Sequence, residues 1–415
     1  MKLYFKLAIR NLLRHKRRTL LTLSGMALGF AVLLWLQCIL KGTNRQIVDN
    51  VTSTQVGHLQ VWKSEYLDEP LVQYTFEAQP EALLKLLPAG SFISERVHLP
   101  SLASSGEQST PIMLNGIRPD AEAKVTQLKS DRVEGDYLSD GADLECQNRE
   151  IFIGKSLATL LKVGLGDKVV ILAQAADGTL GNELLRVKGI FDTGSKVLDR
   201  SVAYASIGCV RKIGAIQGDH EVTVKLPEAG NLDKVRTTLS GPLSKLNPGL
   251  RLTTWKEAVP ALAGMVTFND ATLLLISLVL FGVTTFGIVN TLLMSVFERT
   301  REFGVMLALA VTPSGVCLLI LIEAAMIGIS AAIMGTLIGV LWVLYHQHTG
   351  FDLQPFLGSG FSVSQFKLGT IVYPVFSFGR YFTLVSSTVV VATVAGLIPA
   401  LHAARMDVIQ AIRHR

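Results

Sequence analysis

ATLLLISLVLFGVTTFGIVNTLLMSVF (271–297), ERTRE (298–302) and FGVMLALAVTPSGVCLLILIEAAMIGISAAIMGTLIGVLWVLY (303–345) are the stretches that decide the fold. The first has no charged residue, the second has four, and the third has one, Glu323. A helix needs about 20 apolar residues to cross roughly 30 Å of hydrocarbon. Two such runs around a short charged patch read as two membrane helices joined by a turn on one face of the bilayer. Outward from there, TLLTLSGMALGFAVLLWLQCIL (19–40) and residues 381–404 are also uncharged. Four spans are therefore expected, at 19–41, 271–297, 315–345 and 381–404. The second and third exceed the required length, so they either tilt or continue as helix beyond the bilayer. The first run is longer than the about 7–15 residues of a signal-peptide core, and no small-residue cleavage site follows it.

Of 415 residues, 17% are charged, against roughly 25% in a typical soluble domain, and the mean hydropathy is +0.41. A disordered or collagen-like chain is excluded, and a purely water-soluble enzyme is disfavoured. Residues 41–270 nevertheless hold 25 basic and 28 acidic side chains, the density of a soluble domain. Seven Lys/Arg precede the first span, and Arg405, Arg413 and Arg415 follow the last. The positive-inside rule then makes both termini cytoplasmic. The expected order is a cytoplasmic amphipathic helix (1–18), span one (19–41), an extracytoplasmic α+β domain (42–270), span two (271–297), a cytoplasmic connection (298–314), span three (315–345), an outer loop (346–380), span four (381–404) and a cytoplasmic tail (405–415). The cytoplasmic segments carry +7, 0 and +2, more than the whole chain's +6. The basic balance is thus a topology signal, not a nucleic-acid footprint.

Lys2, Lys6, Arg10 and Arg14 recur every four residues and form one helical stripe, with Leu3, Leu7, Ile9, Leu12 and Leu13 filling much of the remainder. This pattern suits a helix lying on an anionic leaflet; a plain basic flank is the alternative. In the large domain, GHLQVW (57–62), TPIMLNGI (110–117), EIFIG (150–154), KVVILA (168–173), LLRVKGIFD (184–192) and HEVTVKL (220–226) read as strands. PEALLKLL (80–87), KSLATLLKV (155–163) and DKVRTTLSGPL (233–243) read as helices. GKS at 154–156 lacks the P-loop glycine at 149, where Arg149 stands, so Gly154 is expected to end a strand and open a helix. His346 and His348 are the only close histidine pair, without a carboxylate at ligand spacing, and no metal site is expected. No hydrolase or metalloprotease motif is present. Cys146 and Cys209 lie in the outer domain. An oxidising compartment would allow a bridge, but nothing in the spacing brings them together, and two independent thiols are the expectation.

Glu323 is the one ionisable group well inside an apolar run. It is either a polar contact that governs how spans pack or move, or a carboxylate close enough to a boundary to reach the headgroups. Within ERTREFG (298–304), Glu298/Arg301 and Arg299/Glu302 are opposite charges three apart, able to meet on a helix. With Phe303, Val305, Met306 and Leu307 they make a short two-faced helix suited to docking on another protein; a solvated turn is the alternative.

ERTREFGVMLALAVTPSGV resembles the coupling-helix signature of FtsX-like ABC-transporter permeases, often ERTREIGIMRALGAS. AIRNLLRHKRRTLLTLSGMALG is similar to that family's opening, GLIPALHAARMDVIQAIRHR to its C-terminal signature, LIEAAMIGISAAIMGTLIG to its third span, and EIFIGKSLATLLKVGLGDKV to its outer domain. The resemblance implies a dimeric permease, homo- or heteromeric, that itself holds no cofactor. ATP and Mg would be bound by a partner dimer of cytoplasmic ATPase subunits, and the chain itself would not be an enzyme. It implies a bacterial inner-membrane location, with membrane lipid as a further partner. It would seat Glu298, Arg299, Thr300, Arg301, Glu302, Phe303 and Gly304 in the ATPase groove, make Glu323 a third-span polar position, and let Gly335 and Gly339 pack helices closely. Two departures stand out. The family's RALGAS is LALAVT here (307–312), without its basic residue and glycine, and Val408, Ile409 and Ile412 replace parts of the C-terminal signature. GHLQVWKSEYLDEP (57–70) resembles lipoprotein-releasing members. The expected function is lipoprotein release from the inner membrane, with MacB-like peptide or toxin export, or FtsX-like activation of a cell-wall hydrolase, as alternatives. A membrane sensor that needs no ATPase would want a cytoplasmic signalling domain, which segments of about 18, 15 and 11 residues do not supply.

Overall fold

The computed structural model describes residues 7–406, apart from 9, 12, 13, 15, 107, 140–145, 228–231, 358–361, 364, 365 and 368–370. Lys2, Leu3, Lys6, Ile9, Leu12 and Leu13 of the basic stripe lie outside the described residues, as do Val408, Ile409 and Ile412 of the C-terminal signature. The chain forms two units. One contains residues up to Arg45, Val266–Pro355 and the residues from Thr370 onward; the other contains Gln46–Met265 and Phe356–Gly369.

The first unit is helical: α1 (Lys16–Val51), α2 (Pro260–Glu298), α3 (Thr300–Ala308), α4 (Pro313–Thr349), α5 (Phe378–Ala395) and α6 (Leu397–Ala404). Among the described residues, four stretches are long and apolar enough to cross a membrane, Thr19–Val56, Pro260–Glu298, Pro313–Thr349 and Phe378–Ala404. At about 1.5 Å per residue α2 is about 58 Å long, well beyond the hydrocarbon thickness. Hydropathy marks only the part that suits lipid; the backbone hydrogen-bond ladder continues past it. Local chemistry sets the breaks. Thr312 caps α4 by accepting from the Gly315 N–H at 3.3 Å, and Pro313 occupies the first turn, where no donor is needed. Span four bends at Gly396, three residues before Pro399.

Small residues let α4 approach its neighbours. A Cβ on Gly335 would stand 2.7 Å from the Ala27 carbonyl oxygen and 2.8 Å from Phe30 Cβ. On Gly339 it would stand 3.0 Å from Leu34 Cδ2, and on Gly328 2.8 Å from Ala392 Cβ. Without a hydrophobic drive between helices in lipid, such close van der Waals contact is the main source of association. α2 meets α1 through two polar pairs, Thr22–Thr291 (2.7 Å between hydroxyls) and the Asn269 amide donating to Asn44 Oδ1 at 2.7 Å. The other side of α2, with Leu274, Leu278, Val283 and Phe286, is exposed.

The second unit is α+β. Its strands are β1 (Leu59–Lys63), β2 (Phe92–Ser105), β3 (Gln108–Ile117), β4 (Arg132–Gly135), β5 (Glu150–Gly154), β6 (Lys168–Gln174), β7 (Leu180–Phe191), β8 (Val202–Ser206), β9 (Glu221–Lys225) and β10 (Leu250–Thr254). The pairings β2–β3–β8–β5–β7–β6 return to β2 and close a ring. β9, β1 and β10 extend from the start of β2. Leu99, Leu114, Ile151, Ile153, Ile171 and Leu185 fill the core. β2 was not expected from sequence, because charged Glu95 and Arg96 and a central Pro100 interrupt it. Its one edge pairs β9 through residues 92–96 and β6 through 101–104, and Pro100 falls in the gap, where a missing donor is tolerated. In that gap the His98 N–H donates to His220 Nδ1 at 3.0 Å. Burial pushes His220 down to about 4, which keeps this nitrogen free to accept. Gly154 ends β5 and caps the helix Lys155–Leu161, and a Cβ there would collide with the Asp199 backbone.

One expectation is corrected. Cys146 and Cys209 are not independent thiols but a disulfide, with Cα atoms 4.2 Å apart across 63 residues of sequence. Both are buried in the core. The helix Ile207–Gly214 holds Cys209, and the chain leading into β5 brings Cys146 onto it, a proximity made by the tertiary fold and invisible to spacing.

Two outcomes follow. Alkylation of the denatured, unreduced protein should modify two thiols, Cys38 and Cys317, and Cys209→Ala should destabilise the outer domain by about 2–5 kcal/mol; four reactive thiols would refute the bridge. Gly335→Leu should lower the stability of the detergent-purified chain by about 1–3 kcal/mol or prevent folding. Gly282→Leu, whose Cβ meets nothing within 4 Å, should be silent in the same thermal-unfolding assay.

Candidate functional site

Four stretches far apart in sequence converge at one end of the helical unit. Val296 near the end of α2, Phe303 of α3, Val316, Leu319 and Ile320 of α4, Ala400 and Ala403 of α6, and Ala8 form one buried cluster. Phe303 is fully buried at its centre. Leu7, Ala8, Arg10, Asn11 and Arg14 are helical, with Ala8 buried and Arg10 and Arg14 of the basic stripe exposed.

Charges sit beside this apolar cluster in a defined order. Glu323 is buried and accepts from Arg299 Nη1 at 3.1 Å and from Asn11 Nδ2 at 2.6 Å. Arg299, also buried, donates through Nε to Glu302 at 2.9 Å and lies 4.8 Å from the centre of the Phe303 ring. Glu302 in turn accepts from Arg14 Nη1 at 2.5 Å. Thus Arg14 and Asn11, the start of α3, and the interior of α4 are joined by one chain of charge-assisted hydrogen bonds. Of the alternatives for Glu323, the structure shows a carboxylate turned inward and paired. Partial burial pushes the Glu302 carboxyl up, but hydrogen bonds from Arg299 and Arg14 outweigh this and hold it below its ordinary 4.5.

The residues expected to seat in a partner's groove divide into two sets. Arg299, Phe303 and Gly304 face the chain's own bundle. Glu298 and Arg301 are exposed, as are Val305, Ala308 and Leu309. The Thr300 hydroxyl closes the α2–α3 junction by donating to the Phe297 carbonyl at 2.9 Å. Of the two i,i+3 pairs, Arg299–Glu302 is the one that forms a salt bridge across α3. Gly335 and Gly339 lie against α1, deeper in the unit. Asn11 and Arg14 were missed as partners of this site. The signal available for Asn11 was its place in the family-like opening AIRN.

LALAVT acquires a physical meaning here. The turn after α3 holds Ala310 at φ +65°, the left-handed conformation that favours glycine, and Ala310 occupies the position of the family's glycine. The turn forms regardless, with the Val311 N–H donating to the Met306 carbonyl at 3.0 Å.

Residues 19–240 match the MacB-like periplasmic core domain, and residues 274–408 match the FtsX-like permease C-terminal domain. The chain therefore belongs to the FtsX-like permeases of ABC transporters that carry a MacB-like periplasmic core domain. It is 24% identical over 353 residues, 79% of this chain and 79% of the relative, to the lipoprotein-releasing system transmembrane protein LolC of Xylella fastidiosa (strain Temecula1). It is 22% identical over 428 residues to the macrolide export ATP-binding/permease protein MacB of Shewanella sp. (strain ANA-3), covering 98% of this chain and 60% of that protein. The solved periplasmic region of MacB from Actinobacillus actinomycetemcomitans is similar over 51% of this chain and 94% of that one, at 13% identity and a TM-score of 0.36. With four apolar spans and this membership, the chain is a multi-pass inner-membrane permease component.

Ala310→Gly should stabilise the chain by about 1 kcal/mol, read by thermal unfolding. Glu302→Gln should cost about 0.2–1 kcal/mol at pH 7, as for a partly exposed pair. Because the folded carboxyl titrates below its unfolded value, its contribution is complete above about pH 4.5 and is lost as pH falls through the folded value. Wild type and variant should therefore converge in an unfolding series taken below pH 4.5; a constant difference would refute the pairing.

Proposed function

We propose that this permease transmits the motion of a separate cytoplasmic ATPase dimer to the outer domain through α3, acting as a homo- or heterodimer with both termini cytoplasmic and holding no nucleotide itself. The observation that carries this reading is the division of α3 into two faces. Its inner face is anchored by Phe303 and the Arg299–Glu323 pair, while Val305 and Ala308, with Leu309 just past its end, are exposed. A helix held on one side and exposed on the other moves its anchor when its exposed face is displaced.

The substrate we infer is lipoprotein leaving the outer face of the inner membrane. Support comes from the relative named as lipoprotein-releasing, matched over 79% of both chains, and from the GHLQVW stretch. Export in the manner of macrolide-exporting relatives, which match 98% of this chain, is the second reading. Site-specific crosslinking from the outer domain separates them, since a diacylated protein and an outer-membrane channel partner give different products.

Docking and transmission are expected to separate genetically. Leu309→Asp should weaken co-purification of the ATPase by about tenfold or more, as for an interface anchor. Glu323→Gln should leave co-purification intact while lowering substrate-stimulated ATP turnover of the complex. Failure of the wild-type chain to retain any ATPase subunit would count decisively against the proposal.

A further inference from the structure

Beside the ion-pair chain lies an open cleft of about 940 Å³ between the N-terminal helical residues and α3. Arg10, Arg14, Arg299 and Arg301 line it against one carboxylate, Glu302. Glu302 is already committed to Arg14 and Arg299, and Arg299 also to Glu323. Arg10 and Arg301 are exposed and have no ion-pair partner among the described residues. The same cleft has an apolar wall of Leu7, Val305 and Met306. Uncompensated guanidinium groups next to aliphatic side chains match an amphiphile with an anionic head. Arginine forks bind phosphate oxygens in pairs, and an alkyl chain lies against the aliphatic wall. The cleft stands at the ends of two apolar helices, α2 finishing at Glu298 and α4 beginning at Pro313, next to where the uncharged runs 271–297 and 315–322 begin or end.

We propose that this cleft binds an anionic phospholipid of the same leaflet. Its phosphate sits between Arg10 and Arg301, and its proximal acyl chain lies on Leu7, Val305 and Met306. A lipid so placed bridges the N-terminal segment to α3 and sets the stiffness of the coupling element. The assignment to the cytoplasmic leaflet rests on the orientation proposed above; the binding chemistry does not.

The test uses the full chain in nanodiscs containing photoactivatable phosphatidylglycerol or phosphatidylcholine at equal mole fraction, with labelled peptides mapped. Phosphatidylglycerol should label the peptides carrying Arg10 and Arg301 about tenfold more than phosphatidylcholine. Arg10→Gln with Arg301→Gln should bring the ratio close to one, and Arg10→Lys with Arg301→Lys should retain most of it. Arg10→Gln alone, which leaves α3 untouched, should lower the ratio if the double variant does not fold. Equal labelling by both lipids, a ratio unchanged in the glutamine variants, or displacement of the label by millimolar inorganic phosphate would overturn the proposal. Maleimide labelling of Ser314→Cys in intact and lysed cells reads the orientation separately, so a wrong leaflet and an absent lipid site give different results.

Discussion

The pairing of Arg299 with Glu323, buried and 3.1 Å apart, is the constraint on which the architecture of the coupling end depends. Each charge alone would face a desolvation cost of several kcal/mol, since both side chains are buried. Each is therefore tolerable only where the other is. Arg299 stands at the junction where α2 stops and α3 begins, so the pair fixes the path of the chain as it leaves the bundle. Asn11 on Glu323 and Arg14 on Glu302 extend the same constraint to the N-terminal segment. Phe303 then closes the apolar side of the junction. Sequence segments separated by about 300 residues thus meet because one carboxylate needs satisfying.

A different kind of constraint organises the outer domain. β2 is shared between two sets of partners, β9 at its start and β6 at its end, so a single long strand holds the six-membered ring and the β9–β1–β10 extension together. The unpaired interval at Pro100 is closed by a neutral, buried histidine, and the disulfide fastens the chain before β5 to the helix after β8. These devices hold the ring and its extension in one shape.

What was readable from sequence follows from locality. The spans were visible because charge exclusion is a local property of about 20 residues, and Glu323 was visible because it breaks that exclusion. Its partner was not, because Arg299 lies in a charged patch where any of four residues could have turned inward. The strands with uninterrupted alternation, such as β6, were readable; β2 was hidden by the Glu95–Arg96 charges and Pro100, which are satisfied only by tertiary partners. The disulfide was hidden for the same reason. The family resemblance marked 298–304 as a coupling helix and assigned the whole run to docking. The structure turns Arg299, Phe303 and Gly304 inward, because a helix packed on one side presents only its other side to a partner. The loss of the family glycine had no interpretation until Ala310 was found in a left-handed conformation.

If their pairing fixes this end of the bundle, Arg299 and Glu323 must act as one unit. A double-mutant cycle with Arg299→Met, Glu323→Leu and the combined variant, read by thermal unfolding of the purified chain, measures this directly. Each single variant should cost about 3–5 kcal/mol, because it strands a buried charge, while the combined variant should be markedly less destabilised than either. Additive losses in the combined variant would show that the two residues do not depend on each other and would contradict the account.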